Sequence, residues 1–150
     1  MKKGRYWIPA LVWMGAIFVF STDLFAAPTT HSIFEAVLRF LFPWMTENWV
    51  EKIHFGARKA AHITAYAFLS WFYLMGLLGT YKPGRCSTST SAVHSILLCV
   101  LYATLDEWHQ SFSKVRTGSV LDVAWDGAGA ISSQLAVWIK RRFAPSQPDG

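Results

Sequence analysis

The sequence predicts an all-α, polytopic membrane protein with four transmembrane helices and one short amphipathic helix at the membrane interface. Three observations support this fold class. Hydrophobic residues make up 53% of the 150 residues and charged residues only 15%, which is unusual for a soluble domain. Apolar runs of helical length recur along the chain, and basic residues flank them. Acids, a base and amides crowd the ends of two of these runs, in residues 105–130.

Charge and cysteine usage narrow the function classes. The net charge of +5 does not predict nucleic-acid binding, because no basic stripe or recognition motif is present and the basic residues border apolar segments. Cys86 lies in a polar linker and Cys99 in an apolar run, so we expect neither a disulfide nor a cysteine metal site. We predict one membrane domain over residues 1–143, surrounded by membrane lipids, and a disordered tail over residues 144–150.

The first apolar run, residues 6–20, follows Lys2, Lys3 and Arg5 and could be a signal peptide or a spanning helix. A signal peptide needs a small-residue cleavage site. The nearest candidate has Leu24 or Phe25 where a small residue is required. We therefore predict an uncleaved first span.

Residues 27–56 are polar at both ends and contain the helix breakers Pro28 and Pro43. Between them, residues 32–45 have an amphipathic pattern in which Glu35 and Arg39 are four residues apart, as in a helical ion pair. This pattern fits a short helix lying in the interface, and it fits equally a lid that packs on the other helices.

Three further spans are predicted at residues 57–80, 92–112 and 120–139, since about 20 helical residues cross the hydrocarbon layer. A polar loop over residues 80–91 separates the first two of them. With both termini in the cytoplasm, more than half of the 14 basic residues lie inside, as the positive-inside rule requires.

This topology brings polar residues from three spans to the outer end of the bundle. Lys59, His62 and Tyr66 share one helix face because they are spaced at i, i+3 and i+7. Carboxylates at the end of the third span and the start of the fourth would face them. The predicted ligand-binding residues of this outward-facing pocket are Lys59, His62, Tyr66, Asp106, Glu107, Gln110, Arg116, Asp122 and Asp126.

Some of these residues have simpler structural explanations. Ser119 and Asp122 fit a capping box, in which Asp122 would only begin a helix. Arg116 could pair with Asp106 or Asp122 as structural support, because a buried unpaired charge costs several kcal/mol. Tyr66 could be an interfacial aromatic anchor. Asp126 lies one turn deeper than Asp122 and cannot act as a cap.

The combined spacing resembles the signature of the VanZ-like membrane proteins. The matching motifs are Lys59-x-x-His62-x-x-x-Tyr66, then Asp106-Glu107-x-x-Gln110-x-Phe112-x-x-x-Arg116, then Asp122-x-x-x-Asp126-x-x-Gly129. The likeness covers nearly the whole chain, including a first helix that ends in Phe20-Ser21. It implies a small multi-pass protein of the bacterial inner membrane, similar to the founding member that raises tolerance to the glycopeptide teicoplanin. The family usually carries Asn where this chain has Asp126, so this pocket holds an additional carboxylate.

Two functions from different classes fit these residues. In the first, the pocket binds a lipid-linked glycan, a glycopeptide or another amphiphilic envelope component, with Arg116, Lys59 and His62 engaging an anionic group. In this case Asp126→Asn should be tolerated, since Asn keeps the shape and an acceptor.

In the second, the protein is a membrane-embedded hydrolase or transferase. The candidate catalytic residues are then His62, Asp106, Glu107 and Asp122, which would hold a divalent cation or divide acid and base work. No cofactor motif is evident, since the chain has no H-E-x-x-H, G-x-S-x-G or P-loop sequence.

Overall fold

A computed structural model describes residues 3–25, 27–81, 87–113 and 118–143. Every element in these ranges is a helix, which confirms the all-α class. The predicted tail, Arg116 and Cys86 lie outside the described residues. The elements in chain order are a 3-10 helix Lys3–Trp7, α1 Ile8–Phe20, a 3-10 helix Asp23–Phe25, α2 Ala27–Leu41, α3 Glu47–Thr80, α4 Thr88–Gln110 and α5 Val120–Phe143.

Helix α3 is the centre of the fold and packs against α5, α4 and α1. The core lies where these four helices meet, and it combines three large α3 side chains with small residues from α4 and α5. Small residues let helix backbones approach closely, which is the usual basis of helix association in membranes. The buried core residues are Ala10, Ile17, Tyr66, Leu69, Tyr73, Cys99, Ala103 and Ala130.

The closest approach is between α3 and α5 at Gly129. A Cβ atom at this position would lie 2.2 Å from the carbonyl oxygen of Ile63 in α3, so only glycine fits without a shift of the backbone. At the next residue of α5, Ser70 Oγ donates to the Ala130 carbonyl (3.2 Å), and about one turn beyond it Gln134 Nε2 donates to Ser70 Oγ (2.7 Å). These contacts fix the register of the two helices.

Helix α1 runs antiparallel to α3. Trp7 Nε1 donates to Thr80 Oγ1 near the end of α3 (2.9 Å), and Trp13 Nε1 donates to the Ala65 carbonyl near its middle (2.8 Å). At this end of the bundle Arg141 also hydrogen-bonds Thr88, so the described basic residues near the two termini lie at the same end. The opposite end collects the end of α1, the end of α4 and the start of α5.

The surface of the bundle is apolar in the way a membrane requires. Val93, Leu97, Leu101 and Leu105 follow one another at four-residue spacing on the exposed side of α4. By length and composition, α3 and α4 could each cross a membrane. Helix α1 has 13 residues, about 20 Å, and α5 carries Asp122 and Asp126, so the prediction of four spans is met only in part.

The prediction was wrong about where α3 begins. It treated residues 47–56 as part of a polar connecting segment, whereas α3 starts at Glu47 and continues for 34 residues, about 51 Å. That length exceeds the ~30 Å hydrocarbon layer. The change from polar to apolar composition near Gly56 was taken for a helix boundary, but Gly56 lies inside a continuous helix with open space around it.

The amphipathic helix α2 begins earlier than predicted, at Ala27 instead of residue 32. Pro28 falls in its first turn, where the missing N–H breaks no hydrogen bond, so it does not stop the helix. The α2 residues His31 and Phe34 contact the His54 ring of α3, at centroid distances of 5.1 and 5.5 Å. Ile33 and other apolar residues of α2 stay exposed, so the helix combines a packed face with a face suited to an interface.

Candidate functional site

The polar residues of the bundle converge at the end where α1 and α4 finish and α5 begins. His62 and Tyr66 reach this region from the middle of α3. Asp106, Glu107 and Gln110 come from the last turns of α4, and all three are buried. The predicted assembly of polar groups from three helices is therefore present, and α1 adds a fourth contributor.

A histidine and an aspartate form its deepest pair. His62 Nδ1 of α3 lies 3.0 Å from Asp126 Oδ1 of α5, and the Asp126 side chain is only 1% exposed. Gly129 makes this contact possible, since it brings α5 against the α3 backbone one turn away. Asp126 is therefore an internal group facing α3, as its position one turn beyond Asp122 predicted.

The Asp106 carboxylate is held by two donors. Ser21 Oγ, at the end of α1, donates to Asp106 Oδ2 (2.6 Å), and Gln110 Nε2 donates to the same oxygen (3.0 Å). Ser21 was absent from the predicted site. Its signals in the sequence are a hydroxyl that directly follows the apolar residues of the first helix and its place in the Phe20-Ser21 pair of the family resemblance.

The Glu107 carboxylate is anchored by the chain just before α5. The backbone N–H of Ser119 donates to Glu107 Oε2 (2.7 Å), while the carboxylate of Asp122 forms an ion pair with Lys59. In a capping box the Ser119 N–H would donate to the Asp122 carboxylate, whereas here it donates to Glu107. Asp122 is instead a charge partner of α3, and the Lys59–Asp122 pair lies half-buried at the edge of the site.

Each of the three buried carboxylates keeps one oxygen without a hydrogen-bond donor. Within the described residues these atoms are Asp106 Oδ1, Glu107 Oε1 and Asp126 Oδ2, and the hydroxyl of Tyr66 is also without a partner. Buried polar atoms are normally satisfied, and a buried carboxylate without compensation is costly. These atoms therefore mark a place where a ligand, a cation or water completes the site.

A cavity of about 810 Å³ opens beside this cluster, between α1, α2 and α3. This volume is in the range of pockets that bind small ligands. One wall is polar and includes His62, Tyr66 and Asp106, and Arg58 and His54 lie further along α3. The remaining lining is predominantly apolar and aromatic, and includes Trp13, Ile17, Phe20, Phe34, Ala57, Ala61, Ala65 and Phe68.

Two groups of side chains have the donor atoms and the proximity to hold a metal ion. In the first, ligand atoms of His62, Glu107 and Asp126 all lie within 4.8 Å of one another. The second consists of His31, Glu35 and Glu47 and joins α2 to the start of α3. Sequence reasoning named all three members of the first group as site residues, but its cation-holding set contained Asp106 and Asp122 in place of Asp126. It missed the second group, because it placed residue 47 in a connecting segment.

Comparison with known proteins identifies one relationship. The family model described as VanZ/LLP1 matches residues 6–141, a stretch that includes all the site residues described above. No curated protein and no solved structure matches the chain.

Proposed function

This chain belongs to the VanZ/LLP1 family, and from that premise we propose that it binds an amphiphilic component of the bacterial cell envelope in the cavity beside His62. The family is associated with glycopeptide resistance. Binding of a lipid-linked glycan or of the glycopeptide itself would alter the access of the antibiotic to its target. Teicoplanin tolerance is the phenotype we expect.

The observation that supports this proposal is the division of the cavity into a polar and an apolar part. An acyl chain would lie along the aromatic and aliphatic lining contributed by Trp13, Ile17 and Phe68. The head group of the same molecule would meet His62 and Tyr66 at the inner wall. Arg58 supplies a cation at the cavity wall, and Arg offers two parallel hydrogen bonds to phosphate or carboxylate.

The proposal includes an orientation: four spans in the inner membrane, both termini in the cytoplasm, and the site facing outward. Basic residues at both ends of the chain, Lys3, Arg5 and Lys140 to Arg142, support it because they lie at the end of the bundle opposite the site. The test is a single cysteine at Ser113 in a chain without Cys86 and Cys99. We expect it to react with an impermeant thiol reagent from outside. Reaction from the cytoplasmic side alone would reject an outward-facing pocket.

Binding can be tested by filling the apolar part of the cavity. Ala61 is exposed and lines the cavity, so Ala61→Phe should occupy the space without disturbing the core. Ala136→Phe, at an exposed position of α5 away from the cavity, is the matched control. The measurements are glycopeptide tolerance in a susceptible host and the lipids that co-purify in detergent.

The ligand pair for this test is a glycopeptide with a fatty-acyl chain, such as teicoplanin, and the same compound with the acyl chain removed. We expect binding of the acylated compound, or of a co-purified lipid, to be lost in Ala61→Phe and kept in Ala136→Phe. Equal binding and equal tolerance in both variants would show that this cavity is not the binding site.

The alternative function is a hydrolase or transferase that acts on a lipid-linked substrate. The convergence of His62, Glu107 and Asp126 favours it, since one imidazole and two carboxylates can hold a divalent cation or share acid and base work. Of the other candidate catalytic residues, Asp106 lines the cavity and Asp122 is engaged with Lys59.

The variant Asp126→Asn separates the two functions. Amphiphile binding alone predicts normal tolerance, because Asn keeps the size of the side chain and an acceptor for His62. Loss of tolerance in a protein that is still monodisperse and inserted at the normal level would favour the enzyme.

A further inference from the structure

We infer that His62, Glu107 and Asp126 form a binding site for a zinc-class divalent cation, held at the junction of α3, α4 and α5. Each residue comes from a different helix, so the site exists only in the assembled bundle. The inference does not require that the cavity bind an amphiphile.

The distances are close to those of a metal centre. A four-coordinate zinc ion with bonds of about 2.0 to 2.2 Å places its ligand atoms about 3.4 Å apart. His62 Nδ1 and Asp126 Oδ1 are already 3.0 Å apart, and all three ligand atoms fall within 4.8 Å of one another. One imidazole and two carboxylates therefore lie near the spacing of a metal ligand set.

Unpartnered buried oxygens are an independent observation that favours a cation site. Asp126 Oδ2 and Glu107 Oε1 are buried and have no donor in the described part of the chain, and the two residues are 1% and 5% exposed. A cation would compensate both oxygens at once, whereas a proton on one carboxylate would compensate only that group. A bound divalent cation would therefore offset the cost of burying two carboxylates beside one histidine.

A neighbouring backbone group orients one of the three proposed metal ligands. The Ser119 N–H holds Glu107 Oε2 and leaves Oε1 as the coordinating atom, which is how outer hydrogen bonds orient metal ligands. Tyr66, four residues after His62 on the same helix, also has a buried hydroxyl without a partner among the described residues. Three protein ligands with one open position are typical of zinc sites that bind a further molecule.

The donor set selects the class of cation. An imidazole nitrogen favours zinc and its transition-metal neighbours, whereas magnesium and calcium prefer sites built from oxygen alone. We therefore expect Zn²⁺, Co²⁺ or Mn²⁺ to bind and Mg²⁺ to be a poor substitute.

The experiment measures metal directly in the full-length protein. Detergent-purified protein is freed of metal, incubated with Zn²⁺ or Co²⁺, desalted and analysed for metal content, and the Co²⁺ form is examined for the visible absorption of a low-symmetry site. We expect about one ion per chain, and a loss of at least about 10-fold in affinity for Asp126→Asn and His62→Gln. Glu47→Gln is the control, because it alters the exposed cluster of the same composition.

Several results would overturn the inference. One is a wild-type protein that binds no stoichiometric metal, and another is an Asp126→Asn variant that binds metal with the same affinity as the wild type. Loss of metal in Glu47→Gln alone would likewise place the ion in the exposed cluster. Tighter binding of Mg²⁺ than of Zn²⁺ would show that the site does not select a zinc-class ion. If Asp126→Asn is not monodisperse, Glu107→Gln replaces it. The wild-type Co²⁺ spectrum then shows whether the ion occupies a four- or five-coordinate protein site, and its change in His62→Gln shows whether the imidazole is a ligand. Failure of metal binding leaves the cavity experiment with Ala61→Phe unaffected.

Discussion

Two clusters in this protein contain the same donor set, one histidine and two carboxylates, in opposite surroundings. In the cluster of His31, Glu35 and Glu47, the side chains are 28%, 31% and 52% exposed. In the cluster of His62, Glu107 and Asp126, both acids are buried. Residue composition alone therefore does not distinguish a functional site from a surface network.

The clusters differ most in how their negative charge is compensated. Arg39 lies between both acids of the exposed cluster, with its Nε 2.6 Å from Glu35 and a second hydrogen bond to Glu47. Among the described residues, the acids of the buried cluster have only His62 as a basic partner within hydrogen-bond distance. The acids of the exposed cluster are both paired with an arginine, whereas the two acids of the buried cluster share one histidine.

The largest difference should follow from removing one acid of each cluster. Asp126→Ala leaves His62 without its partner and opens a hole beside Tyr66, so we expect a loss of about 3 kcal/mol in the free energy of unfolding. Glu47→Ala should cost less than about 1 kcal/mol. Unfolding in a mixed-detergent titration measures both. Similar small losses would mean that the buried pair contributes nothing to stability.

The next largest effect concerns the close approach that brings the buried cluster together. Gly129→Ala places a methyl group against the Ile63 carbonyl and should cost about 2 kcal/mol, by forcing α3 and α5 apart. Gly56 lies in the first third of α3, and a Cβ atom added there would meet no other atom. Gly56→Ala should therefore stabilise the helix by about 0.5 kcal/mol. Thermal unfolding of the two variants provides the comparison, and a neutral Gly129→Ala would contradict the tight α3 to α5 contact.

A smaller effect is expected from the hydrogen bond between α1 and α4. Ser21→Ala removes the 2.6 Å bond to Asp106, and hydrogen bonds to charged groups contribute about 1.5 kcal/mol. Ser89→Ala, at an exposed position of α4, is the control and should be neutral. Glycopeptide tolerance measured alongside stability shows whether Asp106 needs this donor. If the two serine variants are equally stable, Ser21 does not position Asp106.

The smallest effect should come from the exposed ion pairs. Arg39→Ala is expected to cost about 0.5 kcal/mol, and the difference from wild type should shrink as the salt concentration rises. Unfolding at low and high ionic strength tests this. A large, salt-independent loss would show that Arg39 holds α2 on α3 in a way that its exposure does not suggest.

Much of the fold follows from local properties of the sequence. Composition indicated a helical membrane protein, and the 3.6-residue period placed Lys59, His62 and Tyr66 on one helix face. The start of α3 could not be predicted in this way. Residues 47–56 are more polar than the apolar run that follows, and this difference in composition suggested a helix boundary where the helix in fact continues. The extra length of α3 in turn created the exposed cluster with Glu47.

The pairing of side chains was decided by tertiary structure. The sequence identified Asp122 and Asp126 as candidates. Their pairing with Lys59 and His62 depended on the rotation and separation of α3 and α5, which the close contact of Gly129 with Ile63 helps to set. Ser21 is 85 residues from Asp106 in the chain, and the cavity wall is shared by residues of α1, α2, α3 and α4. Helix periodicity is local and determines which residues share a face, whereas the contacts between faces arise only when the bundle assembles.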